Sequence, residues 1–527
     1  MYDLIIRNVR IYDGGGAPPF HGDIAIRGDR LAEVGARVGG AARAEFDARG
    51  LAAAPGFINM LSWANASLLV DGRSQSDLRQ GVTLEVLGEG VSMGPLNAAM
   101  VREMTERQGD LRYEVAWRTL GGYLDYLAGR GVSCNVASFV GAATARIHVL
   151  GYEDRLPAAA ELDRMRALVR QAMAVGAVGV SSALIYPPAT YSDTAELIAL
   201  AGCAAETGGL YISHIRNEEA RIDDALDEFF AVVRQARVRG EIYHLKVSGR
   251  RNWHRLAGVL DRIEAERARG AEVTADVYPY TASSTGLDTA IPPWAHEGGE
   301  AALLARLRDP ATRERLRQEM VLFTDPKEIL VVGFKQARLK PLTGETLADV
   351  AAARRTGWQD TVMDLIVEND GDVGAVFFTM SEENVRAVIA RPWVSFCSDA
   401  GSYAAEGIFL NIGTHPRAYG AFARVLGKYV REERVLTLEE AVRKLSALPA
   451  TVLRLTDRGR LAPGYFADVV LFDPATITDH ATYRRPHQYA TGVRHVFVNG
   501  VQVIRDGAHT GATPGRVVRG PGWRGRW

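Results

Sequence analysis

Residues 2–33 alternate apolar and polar positions through YDLIIRNVRIYDG and GDIAIRGDRLAEVG, with Gly, Asp and Asn at the breaks. The same period-two pattern returns over residues 464–508, in GYFADVVLFDP and GVRHVFVNGVQVIRDG. This is the signature of short strands and turns. Strands at both ends of a long interior predict that the termini join in one small β-sandwich, residues 1–54 supplying its first part and 456–527 its second part and a tail. Between them, short β-branched runs alternate with helical stretches, as in a parallel α/β fold. Eight runs qualify as strands: 56–63, 81–88, 135–141, 177–185, 209–215, 241–247, 272–280 and 393–399. Eight is the number that closes a (β/α)8 TIM-type barrel, here spanning residues 55–455. Helical patterns over 157–176 and 222–240 fill two of the gaps, the second expected to end at Gly240 as a C-terminal cap. The gap from about 281 to 392 exceeds one crossover helix and predicts an insertion, around 286–345, over the barrel mouth.

Composition narrows the function. The 527 residues are 47% hydrophobic and 24% charged, which suits a globular protein with ample core and excludes a disordered chain. Lys and Arg total 62 against 63 Asp and Glu, a net charge of -1. That balance argues against a nucleic-acid partner, whose binding draws on clustered cationic charge. No stretch approaches the ~18 apolar residues of a membrane span, and the N-terminus lacks a basic leader with an apolar core, so no membrane partner is expected. The three cysteines (Cys134, Cys203, Cys397) are far apart and form no CxxC, which fits a reducing, cytoplasmic location.

Candidate chemistry follows from the barrel reading, because catalytic groups sit at the C-terminal ends of barrel strands. Those ends offer Glu89, His214, His244 with Lys246, Asp276 with Tyr278, and Asp399. Two histidines on successive strand ends with a carboxylate opposite form a candidate site for a divalent metal. Such an ion polarises a carbonyl and acidifies water, while Asp399 carries the proton.

Ordered segments along nearly the whole chain carry a resemblance. They include APGFIN (54–59), RQGVTLEVLGEG (79–90), GGLYISHIRNE (208–218), IYHLKVSG (242–249), ADVYPYTASST (275–285), SDA (398–400), THPRAYGAFARVLGKYVRE (414–432) and RGRLAPGYFADVVLFDP (458–474). The chain resembles the amidohydrolase superfamily and, within it, the N-acyl-D-amino-acid deacylases. The resemblance implies a metal-dependent C–N hydrolase acting on N-acyl-D-amino acids or related amides, small molecules with a free carboxylate. It implies one Zn2+ held by His214 and His244, Asp399 as general base and acid, Arg417 gripping the substrate's α-carboxylate, and Tyr278 and Ser284 positioning it.

Two departures bear on that implication. The superfamily's His-x-His after the first strand is Leu61 and Trp63 here, so a second metal site is expected to be absent, with the indole partly filling its space. The family's cysteine ligand aligns with Gly90, so a third ligand must come from elsewhere. Glu89 is the first choice; Lys246, if carboxylated, and Asp399 are alternatives. Glu89 could instead merely hydrogen-bond Lys246. His and carboxylate also accept manganese or iron. A competing function keeps the fold and drops the metal, leaving a non-hydrolytic isomerase, lyase or cyclase-like step, or ligand binding alone. The basic end RVVRGPGWRGRW reads as a tail.

Overall fold

The computed structural model describes residues 1–525. Among them, eight parallel strands form a ring: β1 (Phe57–Ser62), β2 (Val82–Leu87), β3 (Asn135–Ser138, continued by Val140–Gly141), β4 (Gly179–Ala183), β5 (Leu210–His214), β6 (Arg239–Ile242), β7 (Val273–Val277) and β8 (Val394–Phe396). Each pairs with the next in chain order. The ring shuts where Asp399 N donates to Leu61 O and Trp63 N to Ala400 O, both at 2.9 Å. All six residues of β1 and of β2 are buried, as expected of strands covered inside and out. The helix Ile222–Ala236 buries Ile222, Ala225, Leu226, Phe229, Phe230 and Val233, a 3.6-residue stripe laid on the ring.

That helix stops before the expected cap. Arg237, at φ 51°, takes the left-handed closing position, and Gly240 lies inside β6. There a Cβ would come within 2.5 Å of Val233 Cγ2. The strand therefore ends at Ile242 instead of running over 241–247, and His244 and Lys246 stand in the turn beyond it. Alternation misled because Tyr243, Leu245 and Val247 are buried in that turn, continuing the period past the last ladder bond.

The termini meet in a nine-stranded sheet, Val469–Phe472 running antiparallel to Ala52–Pro55. Its core includes Ile6, Val9, Ile24, Leu31, Val469, Leu471 and Phe497. The segment read as a basic tail is instead stitched along the closed end of the barrel. Gly515 N donates to Val132 O at 2.8 Å, Val518 N to Val136 O at 2.8 Å and Gly520 N to Gly176 O at 2.9 Å. Residues 526 and 527 of that stretch lie outside the described residues.

The insertion builds a three-stranded antiparallel sheet from Ser283–Gly286, Ile329–Gly333 and Gly374–Phe377, with its own helices and core. It thus extends beyond 286–345, because its middle strand is contributed by the chain returning at 374–377. No described helix is long and apolar enough to cross a membrane.

Candidate active site

The C-terminal ends of the strands open into a cavity of about 580 Å³. Its walls include Glu89, His214, Lys246, Tyr278, Asp399 and Arg417; His244 and the insertion's Ser284 also reach it. The backbone prepares these positions. Glu89 lies between Gly88 (φ 98°) and Gly90 (φ 61°), both in left-handed conformations. A Cβ at Gly90 would sit 2.5 Å from Ala183 Cβ. No side chain fits at position 90, so Glu89 is the residue of this turn that presents a side chain to the cavity. His244 and Asp399 also carry positive φ, 35° and 49°, a strained geometry of the kind that collects at functional sites.

Glu89 Oε1 lies 3.1 Å from His214 Nδ1 and 3.1 Å from His244 Nε2. The rings meet edge to face with centroids 4.4 Å apart. Ligand atoms set tetrahedrally ~2.0–2.1 Å from a zinc ion stand roughly 3.3 Å from one another, so this spacing fits one cation among the three. Each of the three offers one donor atom, and all three residues are buried. His214 Nε2 is buried without a hydrogen-bond partner. Burial pushes the Glu89 carboxyl up, but the hydrogen bonds from the two imidazoles outweigh it and hold it well below the usual carboxylate range.

Glu218, which the sequence reading assigned no role, stands behind both rings. Its Oε1 is 3.2 Å from His244 Nδ1, 3.6 Å from His214 Nε2 and 2.6 Å from Lys246 Nζ. A carboxylate behind a metal-ligating imidazole fixes its tautomer and ring orientation. Burial pushes Glu218 up, yet Lys246 and His214 together hold it well below its ordinary range. Burial and Lys246 pull His244 down, while Glu218 and Glu89 win and push it up to about 9. Asp276 Oδ1 accepts a 2.7 Å hydrogen bond from His244 N, pinning the strained turn.

Lys246 has no hydrogen bond to Glu89, which removes the reading in which those two merely pair. Its partners are Glu218 and, at 2.8 Å, His244 Nδ1. Asp399 has both oxygens engaged. Oδ1 is 3.1 Å from Trp63 Nε1, and Oδ2 is 2.7 Å from Arg417 Nη1. Burial raises the Asp399 pKa, Arg417 opposes this, and nearby Glu89 adds to the rise.

Arg417 is buried, its guanidinium 4.5 Å above the Tyr278 ring. Nη2 donates to Ser284 O at 3.3 Å. Nη1 is close to Asp399 but not aligned as a hydrogen bond, so Nη1 and Nε are buried donors without acceptors, and so is the Tyr278 hydroxyl. Buried donors are ordinarily satisfied. Arg417 and Tyr278 both line the cavity, so a guanidinium and a phenol with unsatisfied donors stand beside an anion bound there. Ser284 is less committed to the cavity, since its hydroxyl donates to Ala375 O at 2.9 Å.

Residues 408–504 match the description of the amidohydrolase family. D-aminoacylase of Alcaligenes xylosoxydans xylosoxydans is 34% identical over 521 residues, covering 98% of this chain and 97% of that one. A D-aminoacylase structure described as having a binuclear metal centre, with one-metal activation and second-metal attenuation, superposes with a TM-score of 0.82 at 32% identity, covering 98% of this chain and all of that one. N-acyl-D-glutamate deacylase of Bordetella bronchiseptica, solved with zinc and a phosphonate mimic of the tetrahedral intermediate, gives a TM-score of 0.80 at 32% identity over 98% of this chain and 99% of that one. With a third of its residues shared across the whole length of these relatives, and two imidazoles and a carboxylate converging at the mouth of its barrel, the chain belongs to the D-aminoacylase family of metal-dependent amidohydrolases.

Proposed function

We propose that this protein hydrolyses the amide bond of N-acyl-D-amino acids. The observation that carries this reading is that Arg417 and Tyr278, each with unsatisfied buried donors, line the same cavity as Asp399 and the Glu89, His214 and His244 cluster. An N-acyl amino acid has a carboxylate and an amide two bonds apart, and the cavity offers a partner for each.

Glu89, His214 and His244 would hold one divalent cation, which we take to be zinc. When bound, such an ion supplies Lewis acidity toward the amide carbonyl and toward water. The protein's own groups do the rest. Arg417 presents a planar fork to the substrate carboxylate, with the Tyr278 hydroxyl beside it, fixing the amide before reaction. Asp399 takes a proton from the attacking water and returns it to the leaving amine nitrogen as the C–N bond breaks. Burial raises its pKa, which makes it a stronger base toward the attacking water than an exposed carboxylate. Lys246 holds Glu218, which orients the His244 imidazole from 3.2 Å and stands near that of His214. Ser284 contributes its backbone oxygen to Arg417 and its hydroxyl to Ala375 O on the middle strand of the insertion sheet.

The D configuration rests on the relatives that act on D-aminoacyl substrates, D-aminoacylase and N-acyl-D-glutamate deacylase. The converging ligand set argues against the metal-free alternative. Three free, buried cysteines agree with the cytoplasmic placement read from the sequence. The test is release of free amino acid from a panel of N-acetyl-D- and N-acetyl-L-amino acids by zinc-loaded protein. Hydrolysis confined to D-substrates is expected; no turnover of any member would defeat the proposal.

A further inference from the structure

We infer that Trp63 stands in for a second metal ion, making this a one-cation centre by construction. The inference rests on the cation reading above. Trp63 Nε1 is 3.1 Å from Glu89 Oε2 and 3.1 Å from Asp399 Oδ1, so a single N–H bridges the two carboxylates. The oxygens are thereby divided. Glu89 turns Oε1 to the imidazoles and Oε2 to the indole, while Asp399 turns Oδ1 to the indole and Oδ2 to Arg417. A cation bridging Glu89 and Asp399 would need the lone pairs and the space the indole already uses.

The placement follows from the barrel's closure. Trp63 N bonds Ala400 O and Asp399 N bonds Leu61 O, so the two side chains leave adjacent strands in fixed register. Leu61 is fully buried and offers no ligand atom. The indole orients the carboxylates without adding charge, and the positive charge that Asp399 needs comes from Arg417 instead. In the related D-aminoacylase described as binuclear, a second metal attenuates. Here the indole N–H holds the gap between Glu89 and Asp399. Trp63 is a positioning residue, acting through Glu89 and Asp399.

The test compares wild type, Trp63→Phe and the double variant Leu61→His with Trp63→His. Anomalous diffraction from crystals soaked in increasing zinc counts the ions at the barrel mouth. One ion in wild type at every concentration, and two in the double variant, are expected. Two ions in wild type, or one in a folded double variant, would overturn the inference. Neither count needs turnover, so this outcome is separate from failure of the hydrolase reading. A site with no ion at all removes the premise and the inference together. Trp63→Phe keeps an aromatic side chain and deletes the N–H without touching any of the three ligand residues. Its kcat is expected to fall about tenfold or more with KM little changed, the scale seen when an orienting partner of a metal ligand is removed. Unchanged kcat would reduce Trp63 to a packing residue and also overturn the inference.

Discussion

Arg417 Nη1 stands 2.7 Å from Asp399 Oδ2, and both groups are buried. The residue proposed to grip the substrate's carboxylate is therefore also the counter-ion of the proposed proton carrier. A substrate carboxylate that seats against the Arg417 guanidinium shares that charge with Asp399. Part of the positive charge is drawn away just as Asp399 must accept a proton, so binding and base strength are linked through one side chain.

Arg417→Lys separates the charge from the fork. A lysine keeps the counter-ion but presents no planar pair of donors. We expect KM to rise about ten- to a hundredfold, with zinc content unchanged, in steady-state kinetics on the best N-acyl-D-amino acid. An unaltered KM would place the substrate carboxylate elsewhere. Arg417→Ala is a poorer test, because an uncompensated buried Asp399 costs stability on the order of 3–5 kcal/mol.

Asp399→Asn preserves shape and removes the proton carrier. A drop in kcat of roughly 10²- to 10⁴-fold is expected, the usual contribution of general acid–base catalysis. Metal analysis should still find one ion, since Asp399 is engaged by Trp63 and Arg417 and is assigned no ligand role. Loss of the metal together with activity would reassign Asp399 as a ligand.

Glu218→Gln weakens the carboxylate behind both imidazoles while leaving all three ligand atoms in place. Zinc affinity, read by competition with a chromophoric chelator, should fall about ten- to a hundredfold. Affinity equal to wild type would show that the rings are held by Lys246 and the backbone alone.

Glu219, on the cavity wall, gives the site a pH dependence. Burial, and then repulsion from Glu218, push it up to about 7, against the pull of Arg251. Below that pH its carboxyl is neutral; above it, a negative charge faces an anionic substrate. KM should therefore rise as pH climbs through about 7, and the rise should vanish in Glu219→Gln. Stability follows the same sign. A carboxyl whose folded pKa is raised makes the fold less stable as pH rises from about 4.5 to about 7, and the deficit persists above. A KM profile identical in Glu219→Gln and wild type would remove Glu219 from this role.

Much of this was legible in the sequence, for identifiable reasons. Each barrel strand is a short apolar run with turn residues around it, and the matching alternation at the two termini announced their shared sheet. Glu89, His214, His244 and Asp399 were visible because chemistry-bearing residues at strand ends are few in so apolar a setting; Arg417, which opens a helix, was reached only through the family resemblance. Glu218 was hidden because nothing in HIRNE separates a residue behind the rings from a solvated charge; only the turn after β5 brings it there. The strand expected over 241–247 begins two residues earlier and ends five earlier, because buried turn residues mimic the strand period. The basic C-terminal stretch misled because its pairing to Val132, Val136 and Gly176 is made by backbone groups, to which side-chain charge is no guide.

The most direct measurement is the anomalous difference map of protein crystallised with one equivalent of zinc. A single peak bonded to Glu89 Oε1, His214 Nδ1 and His244 Nε2, with Trp63 Nε1 still between the two carboxylates, is the predicted result. Solvent alone between those two rings, in crystals from zinc-saturated protein, would contradict it.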